Sequence, residues 1–318
     1  MVVKAIEAKS GDREKRYWFK VATQFSQSVI PSILPRIFFC GLFGFFISFI
    51  YSYEPSLSLP SISSVFPTIV LGLLLVFRTN TAYERFWEGR KLWGNIVNNI
   101  NNCARTIWVS VAEKEPEDKE EKIKLLRLLV AFAVATKLQL RSEPVNSELE
   151  ALMPKELYEE LKTANNPPLT IAFWISDYLQ KQHDRNCLNA YQLTAMSQLI
   201  DTMVRAVGGC GRILKTPIPL AYSIHLKQLL ILYCLTLPFQ LVSDLQWWTG
   251  PITAIISFAV FGIEAIGIEI ENPFGYDAND LPLDRICQTT QINIEDLMSL
   301  DPGVRHFQKT IYSDLQAN

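Results

Sequence analysis

Long intervals without charged residues dominate the pattern of hydrophobic and polar positions along this chain. A helix needs about 20 mostly apolar residues to cross the hydrocarbon core of a bilayer. Four intervals approach that length, and they cover residues 37–53, 55–77, 228–243 and 245–263. The third interval is short unless Leu220 to Leu226 is included. The pattern predicts four membrane-spanning helices.

A fifth apolar run, Leu128 to Thr136, has a different character. Arg127 and Lys137 bound it, and it is too short to cross a bilayer. We interpret it as a buried helix in a domain that lies outside the membrane.

The rest of the chain also favours helices. From residue 78 to residue 216 polar and apolar positions recur with helical period, and strand-like runs bounded by turn signals are absent. The second span is expected to continue as one long helix to Trp108. Further helices are predicted over residues 119–141, 144–162, 169–180, 188–214 and 283–299. Gly208 and Gly209 predict close packing or a bend, and the acidic run 113–121 predicts a solvated turn.

Basic residues near the span ends predict the orientation, because positively charged short loops stay cytoplasmic. The links between spans 1 and 2 and between spans 3 and 4 carry no Lys or Arg. The inner flanks carry Arg13, Lys15, Arg16, Lys20, Arg36, Arg78, Arg85, Arg90 and Lys91. Both termini are therefore expected in the cytoplasm. The predicted divisions are 1–36 and 271–318 as cytosolic end segments, 37–77 and 217–270 as paired spans, and 78–216 as a helical cytosolic domain.

Composition agrees with a chain that lies partly in lipid and partly in water. Hydrophobic residues make up 49% of the 318 residues, and the mean hydropathy is +0.13. A net charge of −2 and a pI near 6.0 argue against a nucleic-acid partner. The six cysteines are scattered without a paired motif, which favours neither a disulfide framework nor a zinc site.

Motifs of enzyme chemistry are missing from the sequence. The three histidines, His183, His225 and His306, lie far apart, and no nucleophile elbow, phosphate-binding loop, dinucleotide fingerprint or metalloprotease helix occurs. We therefore predict neither catalytic residues nor a metal or cofactor.

An apolar stripe marks the second span. Ile69, Leu73 and Phe77 recur at i, i+4 and i+8 and share one helix face. Around an oligomer axis they would form stacked apolar rings, which can gate a pore by dewetting. The alternative is that the stripe packs against a neighbouring span. The outer half of the span carries the polar residues Ser61, Ser63, Ser64 and Thr68 and the helix-breaking Pro67, whose freed backbone groups either serve an ion or only kink the helix.

Three segments carry a resemblance to a known family. They are FRTNTAYERFWEGRKLWG (77–94), GCGRILKTPIPLAYSIHLK (209–227) and ENPFGYDANDLPLD (271–284). In this order, and with the four spans, the chain closely resembles the prokaryotic branch of the bestrophin family. The resemblance implies an all-α subunit in a ring-shaped homopentamer with one central pore. It implies a hydrophobic neck at Ile69, Leu73 and Phe77, and a second, cytosolic aperture around Gln192.

The sequence departs from the animal members of that family in two ways. Their acidic run after N-P-F-G helps to clasp calcium, whereas this chain retains a residual set at Asp277, Asn279, Asp280 and Asp284. Hard cations need about 6–8 oxygen ligands, so a turn and helix cap is the favoured interpretation of this set. The neck is aliphatic at two positions where animal members carry phenylalanine, which leaves charge selectivity open.

The resulting functional hypothesis is a passive anion channel for chloride and also bicarbonate. Its partners are copies of itself, membrane lipid and the permeant ions, with basic residues near the inner mouth attracting anions. A cation-passing channel of the same architecture and a non-conducting membrane scaffold remain the alternatives.

Overall fold

The computed structural model describes residue 25 and residues 28–59 and 65–301, and all regular structure in these residues is helical. The α-helices are α1 (Ile30–Tyr51), α2 (Val65–Ser110), α3 (Asp118–Leu140), α4 (Ser147–Glu150), α5 (Lys155–Lys162), α6 (Pro167–Asp184), α7 (Ala190–Lys215), α8 (Leu220–Leu245), α9 (Thr249–Glu269) and α10 (Leu283–Ser299). Short 3-10 helices cover Pro55–Leu57 and Gln246–Trp248. The predicted all-α class is confirmed for the described residues.

The chain divides into two compact units. The first unit contains residues 1–84, 217–271 and 277–279. The second contains residues 85–216, 272–276 and 280–318.

The first unit holds the apolar helices. By length and composition two stretches of the described residues could cross a membrane, Ile30–Tyr51 and Leu220–Glu269, and the second of these contains both α8 and α9. The second span, predicted over residues 55–77, is an α-helix only from Val65. Residues 55–57 form a 3-10 helix, Ser58 is extended, and residues 60–64 lie outside the described residues.

Glycines let α1 and α9 approach each other closely in this unit. A Cβ atom added to Gly44 would lie 2.9 Å from the Cα atom of Gly250, and one added to Gly250 would lie 2.7 Å from the ring of Phe45. Both distances are too short for a real contact. Small residues at such crossings are the usual means by which membrane helices pack in the absence of water. One further link is the hydroxyl of Ser48, which donates to the carbonyl of Gln246 over 2.8 Å.

The second unit is built around α3. The run Leu128 to Thr136 is buried throughout and belongs to a core that includes side chains of α6, α7 and α10. The predicted buried helix is confirmed. Its hydroxyl-bearing residue, Thr136, donates to the carbonyl of Phe132 over 2.7 Å, so no polar group is left unpaired there.

Two local expectations about this unit were wrong. The helix predicted over 144–162 is two helices, α4 and α5, because Pro154 removes a backbone donor and stands directly before α5. The acidic run 113–121 is not wholly a solvated turn. Asp118 is buried at the start of α3, where its carboxylate accepts backbone N–H groups of Lys114 and Glu115 and the guanidinium of Arg185.

The two adjacent glycines of α7 have different surroundings. A Cβ atom at Gly209 would lie 2.9 Å from the methyl groups of Leu92, whereas one at Gly208 would meet nothing within 4 Å. The predicted close packing is therefore present at Gly209 alone.

Candidate functional site: one face of helix α2

The first turns of α2 have two faces with opposite surroundings. Leu71 and Leu75 are buried in the core of the first unit, at 3% exposure each. Ile69, Leu73 and Phe77 are 63%, 54% and 54% exposed. Among the described residues the apolar stripe therefore does not pack into the core of its own chain, and it is free to face a partner, lipid or a pore.

Polar residues continue this face toward the carboxyl end of the helix. At 100° per residue, Asn80 and Glu84 lie within about 20° of the direction of Leu73. Both are exposed. The face thus changes from aliphatic to aromatic to polar along four turns of helix, and it ends in a carboxylate.

Arg78 fixes the rotation of α2 about its axis. Its guanidinium donates to the carboxylate of Glu271 over 2.8 Å and to the hydroxyl of Ser223 over 2.8 Å. Glu271 in turn accepts the backbone N–H of Ile218 over 2.9 Å through its other oxygen. The side chain of Arg78 is only 5% exposed. Its charge is therefore buried and neutralised by Glu271.

Two further contacts support this anchor. The hydroxyl of Tyr222 donates to the carbonyl of Leu74 over 2.7 Å. Gly267 packs closely against Arg78, because a Cβ atom added at this glycine would lie only 3.2 Å from the Cγ atom of the arginine. The core side of α2 is therefore held by α8, α9 and the residues that flank them, and the stripe points away from them.

Arg13, Lys15, Arg16 and Lys20, which were expected in the inner flank, lie outside the described residues. Two of the described basic residues, Arg85 and Lys91, are engaged locally. Arg85 donates to the carbonyls of Thr216 and Ile213, at the carboxyl end of α7. Lys91 pairs with Glu88 at 2.6 Å. Helix-end carbonyls are a favourable place for a cation, since they carry the negative end of the helix dipole.

The outer polar residues of the second span are only partly described. Ser61, Ser63 and Ser64 lie outside the described residues. Pro67 and Thr68 are exposed, and the Thr68 hydroxyl lies 3.5 Å from that of Tyr233.

Gln192 forms a capping box at the start of α7. Its side-chain oxygen accepts the backbone N–H of Asn189 over 3.0 Å, and the Asn189 side chain accepts the backbone N–H of Gln192 over 2.9 Å. The preceding Tyr191 is 89% exposed. The carboxamide of Gln192 is thus engaged in capping, while Tyr191 extends from the same helix end.

Asp284, one of the acidic residues after N-P-F-G, is committed to cations of the protein. Its two oxygens accept hydrogen bonds from Lys137 and Arg141, each over 2.8 Å. Burial opposes ionisation, but these two bonds hold the pKa of Asp284 below its usual value. The pKa of Lys137 is raised in return: burial lowers it, and the bonds to Asp284 and Glu148 outweigh that effect.

The remaining residues of this turn are divided between the two units. Asn279 donates to Glu269 over 2.7 Å in the first unit. In the second unit Gly275 lies close to Asp280, since a Cβ atom there would come within 2.7 Å of the carboxylate. No cluster of three or more metal-ligating side chains occurs within the described ranges.

The segment 272–276 packs against the second unit. The ring of Phe274 is fully buried, and together with Pro273 it covers Gly89 of α2. The guanidinium of Arg141 lies 3.9 Å from the ring centre of Tyr276, whose hydroxyl donates to Glu143. The segment 272–276 thus contacts both α2 and the carboxyl end of α3 within this unit.

The cysteines and histidines form no candidate reactive site in the described part of the chain. All six cysteines are buried and unpaired. Burial raises the pKa of Cys103 and of Cys287 to about 12, so neither is a thiolate at neutral pH. His183 lies 2.9 Å from the carbonyl of Leu188, and His306 lies outside the described residues.

Comparison with known proteins supplies the family. The model of the bacterial and fungal bestrophin proteins matches residues 11–296. A voltage-dependent anion channel-forming protein of Nostoc is 61% identical over 92% of this chain and 95% of its own length. A protein of the same description from Synechocystis is 59% identical over 91% of this chain and 94% of its own length.

Solved structures agree. A crystal structure of a bacterial bestrophin homologue from Klebsiella pneumoniae superimposes with a TM-score of 0.79 at 28% identity, over 84% of this chain and 99% of that one. A second structure, described as that of a membrane protein, gives the same TM-score and identity over 85% of this chain and 100% of that one. With its two apolar stretches, this chain is a membrane protein. It belongs to the bacterial and fungal bestrophin family.

Proposed function

We propose that the protein is an anion channel that assembles as a homopentamer around one central pore. Ile69, Leu73 and Phe77 line an apolar neck in this pore. The single observation that carries the proposal is the exposure of this stripe on α2 while Leu71 and Leu75, on the opposite face, are buried. The names of the two relatives at 61% and 59% identity support passage of anions. We propose chloride and bicarbonate as the permeant ions.

In this proposal the membrane is crossed four times, by α1, the first part of α2, α8 and α9. Residues 78–216 then form a helical cytosolic domain, and both termini lie in the cytoplasm. The lack of Lys and Arg in both outer links supports this orientation. A second constriction lies at the amino end of α7 around Gln192, where Tyr191 is highly exposed.

The turn that includes Asp277, Asn279, Asp280 and Asp284 is proposed to be structural in this chain. Both oxygens of Asp284 accept hydrogen bonds from protein cations, and Asn279 bonds to Glu269. A calcium ion would have to compete with the ion pairs of Asp284 for these oxygens. Channel activity is therefore expected to be independent of calcium.

Passage of cations is the second candidate, and one residue favours it. Glu84 is exposed on the same face of α2 as the neck. Five such carboxylates around an axis would form an acidic ring, which attracts cations. Arg78 does not offset this ring, because Glu271 neutralises it. Measurement of the permeability ratio of anions to cations decides between an anion channel and a cation channel.

A substituted-cysteine experiment tests whether the stripe faces water in a pore or lipid. The native cysteines are all buried, so a charged methanethiosulfonate reagent should leave the currents of the wild type unchanged. Leu73→Cys should lose current on exposure to the reagent. The matched control is Leu232→Cys on α8, which is 59% exposed and is proposed to face lipid.

The proposed pore predicts loss of current in Leu73→Cys alone. Unchanged current in both variants, in protein verified as an intact reconstituted oligomer, would contradict the proposed neck. A wild type that conducts nothing would favour the membrane scaffold. Native mass spectrometry of the purified protein should give the mass of five chains, and a different stoichiometry would overturn the pentamer.

A further inference from the structure

An apolar cavity of about 600 Å³ lies among α1, α8 and α9 within the first unit. Its volume is in the range of pockets that hold small organic ligands, which is roughly 300–1,000 Å³. Apolar side chains line most of it: Phe39, Cys40, Leu230, Ile231, Cys234 and Phe261. This cavity has no part in the proposed pore.

Helical spacing explains how the three helices build the cavity. On α8 the lining positions include 227, 230, 231 and 234, which are separated by three and four residues and share one face. The charged lining residues are Arg36, Lys227 and Glu264, near the amino ends of α1 and α8 and the carboxyl end of α9. The cavity therefore combines an apolar groove with one charged end.

The charges at that end leave one cation available. The carboxylate of Glu264 is 3% exposed and lies 3.8 Å from the guanidinium of Arg36, whose side chain is 55% exposed. Lys227 is exposed and has no ion-pair partner within the described ranges. Glu264 opposes an anion, but its charge is offset by Arg36, so the positive charge of Lys227 remains.

We propose that this groove binds an anionic phospholipid, with an acyl chain between α1 and α8 and the phosphate against Lys227. Basic pockets between membrane helices on the cytoplasmic side are suited to anionic headgroups. Long basic side chains at helix ends reach the interface while their stems cover apolar surface. The inference rests on α1, α8 and α9 crossing the bilayer, and it is independent of which ion the pore conducts.

Native mass spectrometry of the intact oligomer, purified and incubated with phosphatidylglycerol or phosphatidylcholine, tests the proposal. The wild type should retain phosphatidylglycerol in preference to phosphatidylcholine. Lys227→Gln should weaken the retention of phosphatidylglycerol about fivefold. A matched control is Lys155→Gln, which removes an exposed lysine on α5, outside the apolar helices.

A second pair of variants tests the groove itself. Ile231→Trp fills the cavity and should abolish preferential retention, whereas Leu232→Trp changes the adjacent exposed position, which does not line the cavity, and should retain the lipid. Both positions are more than half exposed, so neither variant disturbs a buried contact.

Three results would overturn the proposal. One is equal retention of the two lipids by the wild type, and another is unchanged retention in both Lys227→Gln and Ile231→Trp. The third is a wild-type oligomer that retains no phosphatidylglycerol, because a second copy or the N-terminal segment of this chain would then occupy the groove. Ion flux through the same preparation is a separate readout, so failure of lipid binding and failure of the channel are distinguishable.

Discussion

The guanidinium of Arg78 donates a 2.8 Å hydrogen bond to the carboxylate of Glu271, and the two side chains are only 5% and 15% exposed. Arg78 directly follows Phe77, the last member of the apolar stripe. Since Arg78 points to the core side of α2, the stripe must point away from it. The ion pair therefore determines which face of α2 is available to line a pore.

Glu271→Gln should destabilise the protein strongly. It leaves the buried charge of Arg78 uncompensated, and the loss of one partner of a buried ion pair costs about 3–5 kcal/mol. Denaturant unfolding of the purified protein in mixed micelles measures the change. Glu88→Gln is the matched control, because its pair with Lys91 is about half exposed on both sides and contributes at most about 1 kcal/mol. Equal effects of the two substitutions would contradict the assigned role.

Gly44→Ala should force α1 and α9 apart. The added Cβ atom would lie 2.9 Å from the Cα atom of Gly250, and backbone cannot move aside as a side chain can. Overpacking of this kind costs about 1–3 kcal/mol, measurable in the same unfolding experiment. Gly41→Ala, one turn earlier, meets the Cβ atom of Ala254 at 3.2 Å and should cost less. The reverse order of the two variants would show that the glycine crossing is not the tight point.

Asp118 should make the stability of the protein depend on pH in the acid range. The hydrogen bond from Arg185, followed by those from the backbone N–H groups of Glu115 and Lys114, lowers the pKa of Asp118 from 3.8 to about 2. Because the folded chain has the lower pKa, the unfolded chain binds more protons between these values. The stabilisation is complete above pH 3.8 and is lost as the pH falls through about 2.

Asp118→Asn should therefore lower stability above pH 3.8 and reduce the pH dependence between that value and about 2. Unfolding of the purified protein at pH values across this window gives the slope. Asp177→Asn removes a more exposed carboxylate that pairs with Lys181 at 3.0 Å and should leave the slope unchanged. A slope that is the same in wild type and Asp118→Asn would assign the acid sensitivity to other groups.

Glu84→Gln should shift the permeability ratio toward anions if Glu84 lies at the inner end of the neck. The substitution removes a negative charge and keeps the shape of the side chain, so a change in reversal potential reports electrostatics in the pore. Glu143→Gln is a control outside the proposed neck. A reversal potential that does not respond to Glu84→Gln would place Glu84 outside the conduction path.

The positions of most helices could be predicted from the sequence, but the buried charged residues that hold them in place could not. The amphipathic pattern of residues 283–299 placed α10, and the continuous apolar run Leu128 to Thr136 located the buried part of α3. The break at Pro154 was missed, since the apolar spacing on both sides of the proline is compatible with one helix. Short interruptions change the register of a helix without changing its composition.

Arg78 and Asp118 show why the site was only partly predictable. Each charged residue stands at the end of an apolar run or in a charged segment, where exposure is the usual expectation. Their burial depends on partners distant in sequence, Glu271 for Arg78 and Arg185 for Asp118. The stripe of Ile69, Leu73 and Phe77 was visible from its spacing, but its exposure became visible only with the packing of Leu71 and Leu75.

The most direct test of the central claim is the reversal potential under a salt gradient, measured for purified protein in planar bilayers in wild type and Leu73→Ala. We expect reversal near the chloride equilibrium potential in the wild type and a changed conductance in Leu73→Ala, because the variant widens and wets the apolar neck. Reversal near the cation equilibrium potential would contradict anion selectivity. A conductance that is identical in the two proteins would contradict the neck.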